Sequence, residues 1–519
     1  MTADKTSWHC LPAEIRIMIL EVLLQDGCSL AGFATVSGEW QSIIEQHNFA
    51  RIHLTSSRLA DFGSIIHRNR ALVRYVWLCL ELREYDCAEC APDDREMWGL
   101  SNTDNIVITA AFQDLFSTLS AWEPNGNLLL DISVHSPSDS EHWFKYLTFG
   151  PDVPSDECDR GRCAEQSMLV QVDDHQHGWI AGSRDSAPPF LATYKVFDEI
   201  MGEGPFDGRQ LPSVPAVTGV LLRQQNRRRW KPTALAQVFA RLPSLQEIHY
   251  EPWREWDDIQ QKFTDRHFRS LFESLASSQL RRLVLFENFN QQYALSFRDC
   301  VPIRIPTPGV SRAVARASLE LEHLSASFMV DASYFFDARE PSWKWPNLTS
   351  LALTSRLLAP DESPMEIDNM LRAAAAATMK MPNLKTMEIW NGQEGLAMLF
   401  RYQPAGGGQP AVITWRGTWE LAPMLFRYQP AGGGQPAVIT WRGTWELALR
   451  PPVIEAWEAV ALKHRGHGLV IVKELLNAGA VVKSHGDAIH HLKLSIPVIR
   501  PVSLRQIRME HRIRELVHN

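Results

Sequence analysis

The chain has 519 residues, 45% of them apolar and 22% charged, which is typical of folded globular proteins and argues against a largely disordered chain. Its 52 basic and 60 acidic residues give a net charge of -8, so binding to nucleic acid is not expected to be its main activity. No apolar run of about 18 residues occurs, and the first ten residues contain no core of a signal peptide. We therefore expect no membrane association and a cytoplasmic or nuclear location, or both.

Three short helices are predicted between residues 11 and 44. The first opens at Leu11-Pro12, because proline is favoured at the first helical position, and apolar residues then recur at three- and four-residue intervals. Residues 30–36 form the second helix, and Ser37 can cap a third that contains Trp40. A unit this small buries little apolar surface by itself, so we expect it to bind a partner.

This segment resembles the F-box family over residues 8–50, through the Leu11-Pro12 start, the helix that follows it and the Val36-Ser37-x-x-Trp40 step. The resemblance implies binding to the Skp-type adaptor of an SCF-type cullin-RING E3 ubiquitin ligase, and through it to a cullin, by a helix-in-groove contact. For Ile19 and Val36, packing among the three helices explains the pattern equally well. The residues that the resemblance places in the adaptor contact are Leu11, Pro12, Ile15, Ile19, Val36, Trp40 and Ile43.

Beyond residue 70 an apolar pattern of the form L-x-x-L-x-L returns many times, usually after a helix and a short turn. The pattern starts lie further apart, and less regularly, than the roughly 20 to 29 residues of ordinary leucine-rich repeats. A stack of such units buries its leucines only against its neighbours, which predicts parallel strands and an extended binding surface. The copies begin at Leu245, Leu280, Leu348 and Leu384, with weaker members at Val73, Val217 and Leu321 and a further strand at residues 128–134.

The predicted fold class is α/β, with a three-helix F-box at residues 1–50. An irregular strand and helix solenoid that resembles leucine-rich repeats follows at residues 70–395, and residues 396–519 form a C-terminal α+β extension. A compact α/β domain with the same local pattern remains the alternative. The whole chain resembles the F-box families of filamentous fungi, which implies a non-catalytic receptor that brings a protein substrate to the ligase.

Residues 398–422 and 424–448 are identical over 25 residues, as a tandem duplication with a period of 26 residues. Each copy reads as a hairpin of two apolar strands around a Pro-Ala-Gly-Gly-Gly-Gln-Pro turn. Because the two copies differ at no position, they indicate a recent duplication or an error in the gene model. We expect one copy to pack in the fold and the other to form an extra, poorly docked hairpin.

Two cysteine pairs supply the ligand types of a four-thiolate zinc site, Cys87 with Cys90 and Cys158 with Cys163. The long separation of the pairs and the wider gap inside the second make this a weak match, and cysteines in the core or in loops are favoured. We therefore predict no metal and no cofactor.

An arginine-rich run could bind an acidic or phosphorylated substrate, although an exposed loop without a ligand is the more common reason for such a run. Its candidates for substrate binding are Arg227, Arg228, Arg229 and Trp230.

A histidine cluster supplies residue types that hydrolases use, but no catalytic motif accompanies it, so a solvated loop before a strand at residues 492–499 is favoured. Its members are His485, His490 and His491. The leading hypothesis is therefore a substrate receptor that is not an enzyme. The alternative is an F-box scaffold that binds the adaptor without promoting degradation.

Overall fold

The computed structural model describes residues 8, 11–25, 30, 32–124, 126–153, 173–201, 206–298, 300–404, 413–417, 424–428, 437–464, 468–476 and 481–512. These residues form a mixed α/β structure with a large, mostly parallel sheet, which confirms the predicted fold class at this level. No helix among them is both long and apolar enough to cross a bilayer.

The α-helices of the described residues are α1 (Ala13–Gln25), α2 (Gly38–Ala50), α3 (Ser56–Ile66), α4 (Asn102–Ser120), α5 (Phe190–Val196), α6 (Pro232–Phe239), α7 (Asp258–Leu275), α8 (Pro308–Ala317), α9 (Ala332–Asp337), α10 (Pro364–Thr378), α11 (Pro451–Lys463), α12 (His485–Leu492) and α13 (Pro501–Arg512).

The strands are β1 (Arg51–Thr55), β2 (Tyr75–Glu81), β3 (Leu128–His135), β4 (Trp179–Ile180), β5 (Ser183–Arg184), β6 (Glu199–Ile200), β7 (Val217–Leu222), β8 (Arg229–Trp230), β9 (Glu247–Tyr250), β10 (Arg282–Phe286), β11 (His323–Asp331), β12 (Ser350–Thr354), β13 (Thr386–Gln393), β14 (Leu396–Gln403), β15 (Ile413–Gly417), β16 (Met424–Tyr428), β17 (Ala437–Gly443) and β18 (Leu469–Leu475).

From β1 to β14, neighbouring strands of the main sheet follow chain order, whereas β15 and β16 lie beyond β18. The order of the sheet is β1-β2-β3-β7-β9-β10-β11-β12-β13-β14-β17-β18-β15-β16, and every pairing from β1 to β13 is parallel. The short strands β4 to β6 and β8 lie in two separate two-stranded sheets. Parallel neighbours need a crossover connection, and the helices between the strands provide most of these connections.

The predicted apolar patterns lie on these parallel strands and align with one another. The middle apolar residue of each predicted strand pairs in register with the middle residue of the next. Ile52 of β1, which no pattern predicted, extends this row of side chains to nine strands. All but the first are at most 1% exposed, and burial of each such side chain stabilises the fold by about 1.5–3 kcal/mol. The row consists of Ile52, Val76, Leu130, Val220, Ile248, Leu283, Leu324, Leu351 and Met387.

Helices α3, α4 and α6 to α11 cover this apolar face and complete the main hydrophobic core. Because side chains alternate along a strand, the residues between the row members face the other side of the sheet. There a register row includes the buried polar residues Asp131, His249, Ser325 and Glu388. The sheet therefore has one apolar face and one face with many buried polar groups.

The segment 481–507 packs on the polar face and forms a second core with apolar side chains of β10 to β14. The strand that was predicted at residues 492–499 is wrong, since residues 493–499 form the irregular connection between α12 and α13. Strands β14, β17 and β18 also join the main sheet. The C-terminal part of the chain thus continues the sheet and covers it.

The prediction that one duplicated copy packs as a hairpin is wrong in an informative way. Strand β14 comes from the first copy and pairs antiparallel with β17, which comes from the second copy. The two remaining halves, β15 and β16, pair antiparallel with each other, and β15 also pairs with β18 at the end of the main sheet. The β14–β17 hairpin is therefore a hybrid of both copies.

Candidate functional site

The N-terminal helices expose an unusually large number of apolar side chains. Helix α1 packs through Leu20, which is 1% exposed, while the residues around it face solvent. The exposed fractions are Leu11 37%, Ile15 41%, Ile17 42%, Met18 57%, Ile19 37%, Val22 59%, Phe33 42% and Val36 60%. We call these eight residues the N-terminal apolar surface, and large apolar side chains exposed in this number on one short segment are typical of a binding site.

Trp40 and Ile43 lie differently from the other predicted adaptor contacts. Trp40 is half-buried between Trp8 and Phe33, with ring centroids 5.1 and 6.0 Å away. Ile43 is also half-buried. The structure therefore gives Trp40 a packing role among the helices, while Ile15, Ile19 and Val36 stay available to a partner.

The local structure of this segment follows from its capping residues. As predicted, Ser37 caps α2, because its side chain accepts a hydrogen bond from the backbone N–H of Trp40 at 3.3 Å. The predicted second helix is a single 3₁₀ turn, Phe33–Thr35. Ser29, Cys10 and Cys28 lie outside the described residues.

The arginine-rich run is not an exposed loop, so that prediction is wrong. Arg227 and Arg228 are 1% and 3% exposed, and Trp230 is 3% exposed. Arg227 pairs with Glu510 at 2.8 Å, and Arg228 pairs with Asp139. Buried charges of this kind require internal partners, so these side chains are not free to bind a substrate.

Two arginines of the run line cavities, and Arg228 lines the smaller one, of about 160 Å³. Arg229 pairs with Glu255 at 2.8 Å and lines a cavity of about 730 Å³, together with Trp98, Tyr194 and Asp198. The cavity combines acidic, basic and aromatic side chains. A substrate contact therefore remains a prediction for Arg229.

His485 is 1% exposed and belongs to helix α12, so the predicted solvated loop is wrong here as well. Its Nε2 atom lies 2.9 Å from the side-chain oxygen of Asn288, and its ring stacks on Phe289. Burial, followed by the nearby His511, lowers the pKa of His485 well below its usual value. A neutral, enclosed imidazole of this kind does not support the hydrolase hypothesis.

Four side chains from three loops meet at the carboxyl edge of β2 and β3. Cys87 and Cys90 lie in the loop after β2, His142 follows β3, and His177 lies in the 3₁₀ turn His175–His177. One ligand atom from each lies within 4.8 Å of the others. We call these four residues the Cys/His cluster.

The separations within the cluster fit one central ion. The Sγ atom of Cys87 lies 3.8 Å from Nδ1 of His142 and 3.3 Å from Nε2 of His177. Cys90 Sγ lies 3.6 Å from the same His177 nitrogen. With tetrahedral angles and ordinary zinc bond lengths, sulfur and nitrogen ligands are about 3.6 Å apart.

Both histidines are oriented through their second ring nitrogen. Nδ1 of His177 lies 2.7 Å from Oδ2 of Asp174, and Nε2 of His142 lies 3.4 Å from the Tyr85 carbonyl oxygen. Burial opposes ionisation of Asp174, but Lys145 and His177 together lower its pKa to about 2. An acceptor in this position favours the ring orientation and tautomer in which the other nitrogen offers its lone pair toward the cysteines.

The predicted partners Cys158 and Cys163 lie outside the described residues. The sequence interpretation placed Cys87 and Cys90 in a candidate set but missed His142 and His177. The sequence did contain one indication of these histidine ligands: in Asp174-x-x-His177, the histidine follows the carboxylate that orients its ring. A second group, Cys79, Glu81 and His135, offers three ligand types on β2 and β3.

Residues 274–424 and 422–500 match the model of a family of unknown function, DUF6546. The two matches meet where the duplicated copies meet, so each copy falls in its own match. No curated protein and no solved structure matches this chain significantly. The family match covers β10 to β18 and α8 to α12. It leaves the resemblance of residues 8–50 to F-box proteins as a prediction.

Proposed function

We propose that this protein is an F-box-type substrate receptor, with no catalytic activity of its own, for an SCF-type ubiquitin ligase. In this proposal the N-terminal apolar surface binds the Skp-type adaptor, and the rest of the chain holds a protein substrate. Attachment to one assembly raises the effective concentration of the substrate near the ligase. The single observation that carries the proposal is the exposure of eight large apolar residues on and around one short helix.

Exposing these apolar side chains to water is unfavourable, which supports the proposal that a partner covers them. A helix on the surface of a soluble protein normally shows one apolar stripe, whereas α1 exposes Ile15, Ile17, Met18 and Val22 together. No residue of α1 belongs to the hydrophobic cores of the described residues. Covering such a helix with an apolar groove removes its side chains from water, which is the mode of helix-in-groove recognition.

The remainder of the chain supports a recognition role. We infer that β1 to β13 form an irregular array similar to leucine-rich repeats, since sequential parallel strands and an aligned apolar row are what stacked units produce. The cavity lined by Arg229, Trp98 and Tyr194 is a candidate contact for the substrate. Aromatic and arginine side chains are frequent in the central contacts of protein interfaces.

Co-precipitation with the Skp-type adaptor tests the proposal. The variant Ile15→Lys/Ile19→Lys/Val36→Lys places charges on exposed positions and is expected to reduce adaptor binding at least about tenfold, because each lysine would be desolvated in the groove. The matched control Ile259→Lys changes a residue that is 62% exposed on α7 and should bind as the unchanged protein does.

Absence of adaptor binding by the unchanged protein, or equal binding by the triple variant, would contradict the proposal. The degradative role has a separate test. Proteins that co-purify with residues 51–519 should accumulate in cells that lack this gene. If adaptor binding is retained but those proteins do not accumulate, the non-degradative scaffold is the better description.

A further inference from the structure

We propose that the Cys/His cluster, Cys87, Cys90, His142 and His177, binds one zinc ion. Two thiolates and two imidazoles in a tetrahedral arrangement are a typical donor set for structural zinc. The sulfur to nitrogen distances of 3.3, 3.6 and 3.8 Å lie around the value that a single tetrahedral zinc requires. This site is independent of the adaptor contact proposed above.

Burial and orientation distinguish this cluster from a chance group of ligands. Cys90 is 6% exposed and His177 is 4% exposed, while Cys87 reaches the surface and gives an entry path for the ion. Trp143 packs edge-on against His177, with ring centroids 5.4 Å apart. Asp174 and the Tyr85 carbonyl fix the two rings from behind, as the outer partners of metal-bound histidines do.

The site is structural rather than catalytic, because four protein ligands fill a tetrahedral zinc and leave no position for water. Its effect would be to join three loops that are distant in sequence. The indole N–H of Trp179 donates to the His142 carbonyl at 3.2 Å, which ties the β4–β5 hairpin to the cluster. Arg184 of that hairpin lines a cavity of about 490 Å³ with Tyr293 and Glu510. Zinc would therefore fix one wall of this cavity.

Metal analysis of the purified full chain tests the assignment. Protein produced in zinc-supplemented medium is expected to carry one zinc per chain, and Cys87→Ser or His177→Ala should lower this to about a tenth or less. The matched controls Cys300→Ser and His175→Ala should keep the metal. His175 lies two residues from His177, but its side chain is 74% exposed.

A double variant distinguishes the proposed set of two cysteines and two histidines from a site with four thiolates. The Cys158→Ser/Cys163→Ser protein should retain its zinc, because two histidines complete the proposed set. Zinc that is lost from this variant but kept by His177→Ala would overturn the assignment, and so would an unchanged protein without stoichiometric zinc.

Two measurements keep the proposal testable if a ligand variant does not fold. The unchanged protein loaded with cobalt should show the visible absorption of tetrahedral Co²⁺ together with a thiolate charge-transfer band, and an octahedral spectrum would overturn the proposal. Asp174→Asn keeps all four ligands and should weaken zinc affinity about 10- to 100-fold in competition with a chelating dye. An unchanged affinity would show that His177 is not a ligand.

Discussion

At the residue scale, several buried arginines of this protein meet a carboxylate from a distant part of the chain. Arg223 pairs with Asp131 at 2.7 Å, and neither side chain is exposed. Arg227 pairs with Glu510 at 2.8 Å and also lies 4.1 Å from the Trp253 ring centroid. Glu510 accepts further hydrogen bonds from Asn290 and Tyr293. These pairs explain why the arginine-rich run is internal.

We expect Glu510→Ala to lower the free energy of unfolding by about 3–5 kcal/mol, because it leaves Arg227 charged, buried and without its carboxylate. The matched control is Glu446→Ala, which removes an ion pair to Lys473 whose glutamate side chain is 63% exposed. This control should cost less than about 1 kcal/mol. Urea unfolding followed by tryptophan fluorescence measures both, and similar losses would contradict the buried-pair interpretation.

At the element scale, the duplication shows how the connections to neighbouring elements decide which of two identical copies supplies a given strand. Strand β14 follows β13 by a tight turn, so the first copy's first strand is held next to β13. Strand β17 leads into α11, which packs in the main core. The two outer halves are thus fixed by short connections, and residues 404–436 join them. The residues that the duplication adds therefore lie between β14 and β17, which pair with each other.

Deletion of residues 411–436 should leave the fold intact and raise the free energy of unfolding by about 1 kcal/mol, since a shorter connection costs less closure entropy. The new junction, Pro410 to Ala437, reproduces the sequence found in each copy. Thermal unfolding compares the two chains. As a control, deletion of residues 396–403 removes β14 itself and should unfold the C-terminal strands. A deletion of 411–436 that also unfolds them would contradict the hybrid hairpin.

At the scale of the whole molecule, the C-terminal segment closes the polar face of the sheet and carries buried histidines with it. His485 of α12 is surrounded by Phe286, Phe289 and Phe328 and faces His511 of α13. Burial lowers the pKa of His485, and it lowers the pKa of His135 on β3 to about 4. Both residues are therefore neutral in the folded protein near neutral pH.

This burial predicts a loss of stability in mild acid. Below pH 6.5 the unfolded chain takes up protons on these histidines, whereas the folded chain does not until the pH approaches the lowered pKa values. The stabilisation is thus complete above pH 6.5 and is lost as the pH falls toward 4. Each histidine contributes a slope of about 1.4 kcal/mol per pH unit in this range.

Urea unfolding between pH 7.5 and 5.0, at constant zinc, measures this slope. His485→Gln should reduce the slope by the contribution of one proton, about 1.4 kcal/mol per pH unit, whatever the variant's stability at pH 7.5. The exposed His175→Ala is the control and should keep the original slope. If His485→Gln keeps it as well, His485 is not a source of the acid sensitivity.

The sequence by itself determined where most of the parallel strands between residues 73 and 390 lie. The apolar pattern is a local property, and Leu283, Leu351 and Met387 stand on the strands that it predicted, aligned in one row. It also indicated the helices at the start of the chain, because Pro12 and Ser37 act on their own neighbours.

Only the tertiary structure decided which distant groups meet. The sequence spacing does not relate Arg227 to Glu510, or Cys87 to His177, since each contact depends on how distant segments of the chain pack against the sheet. The duplicated segment is the clearest case. Identical sequences have identical local preferences, so the choice of strands from different copies came from their neighbours in the sheet.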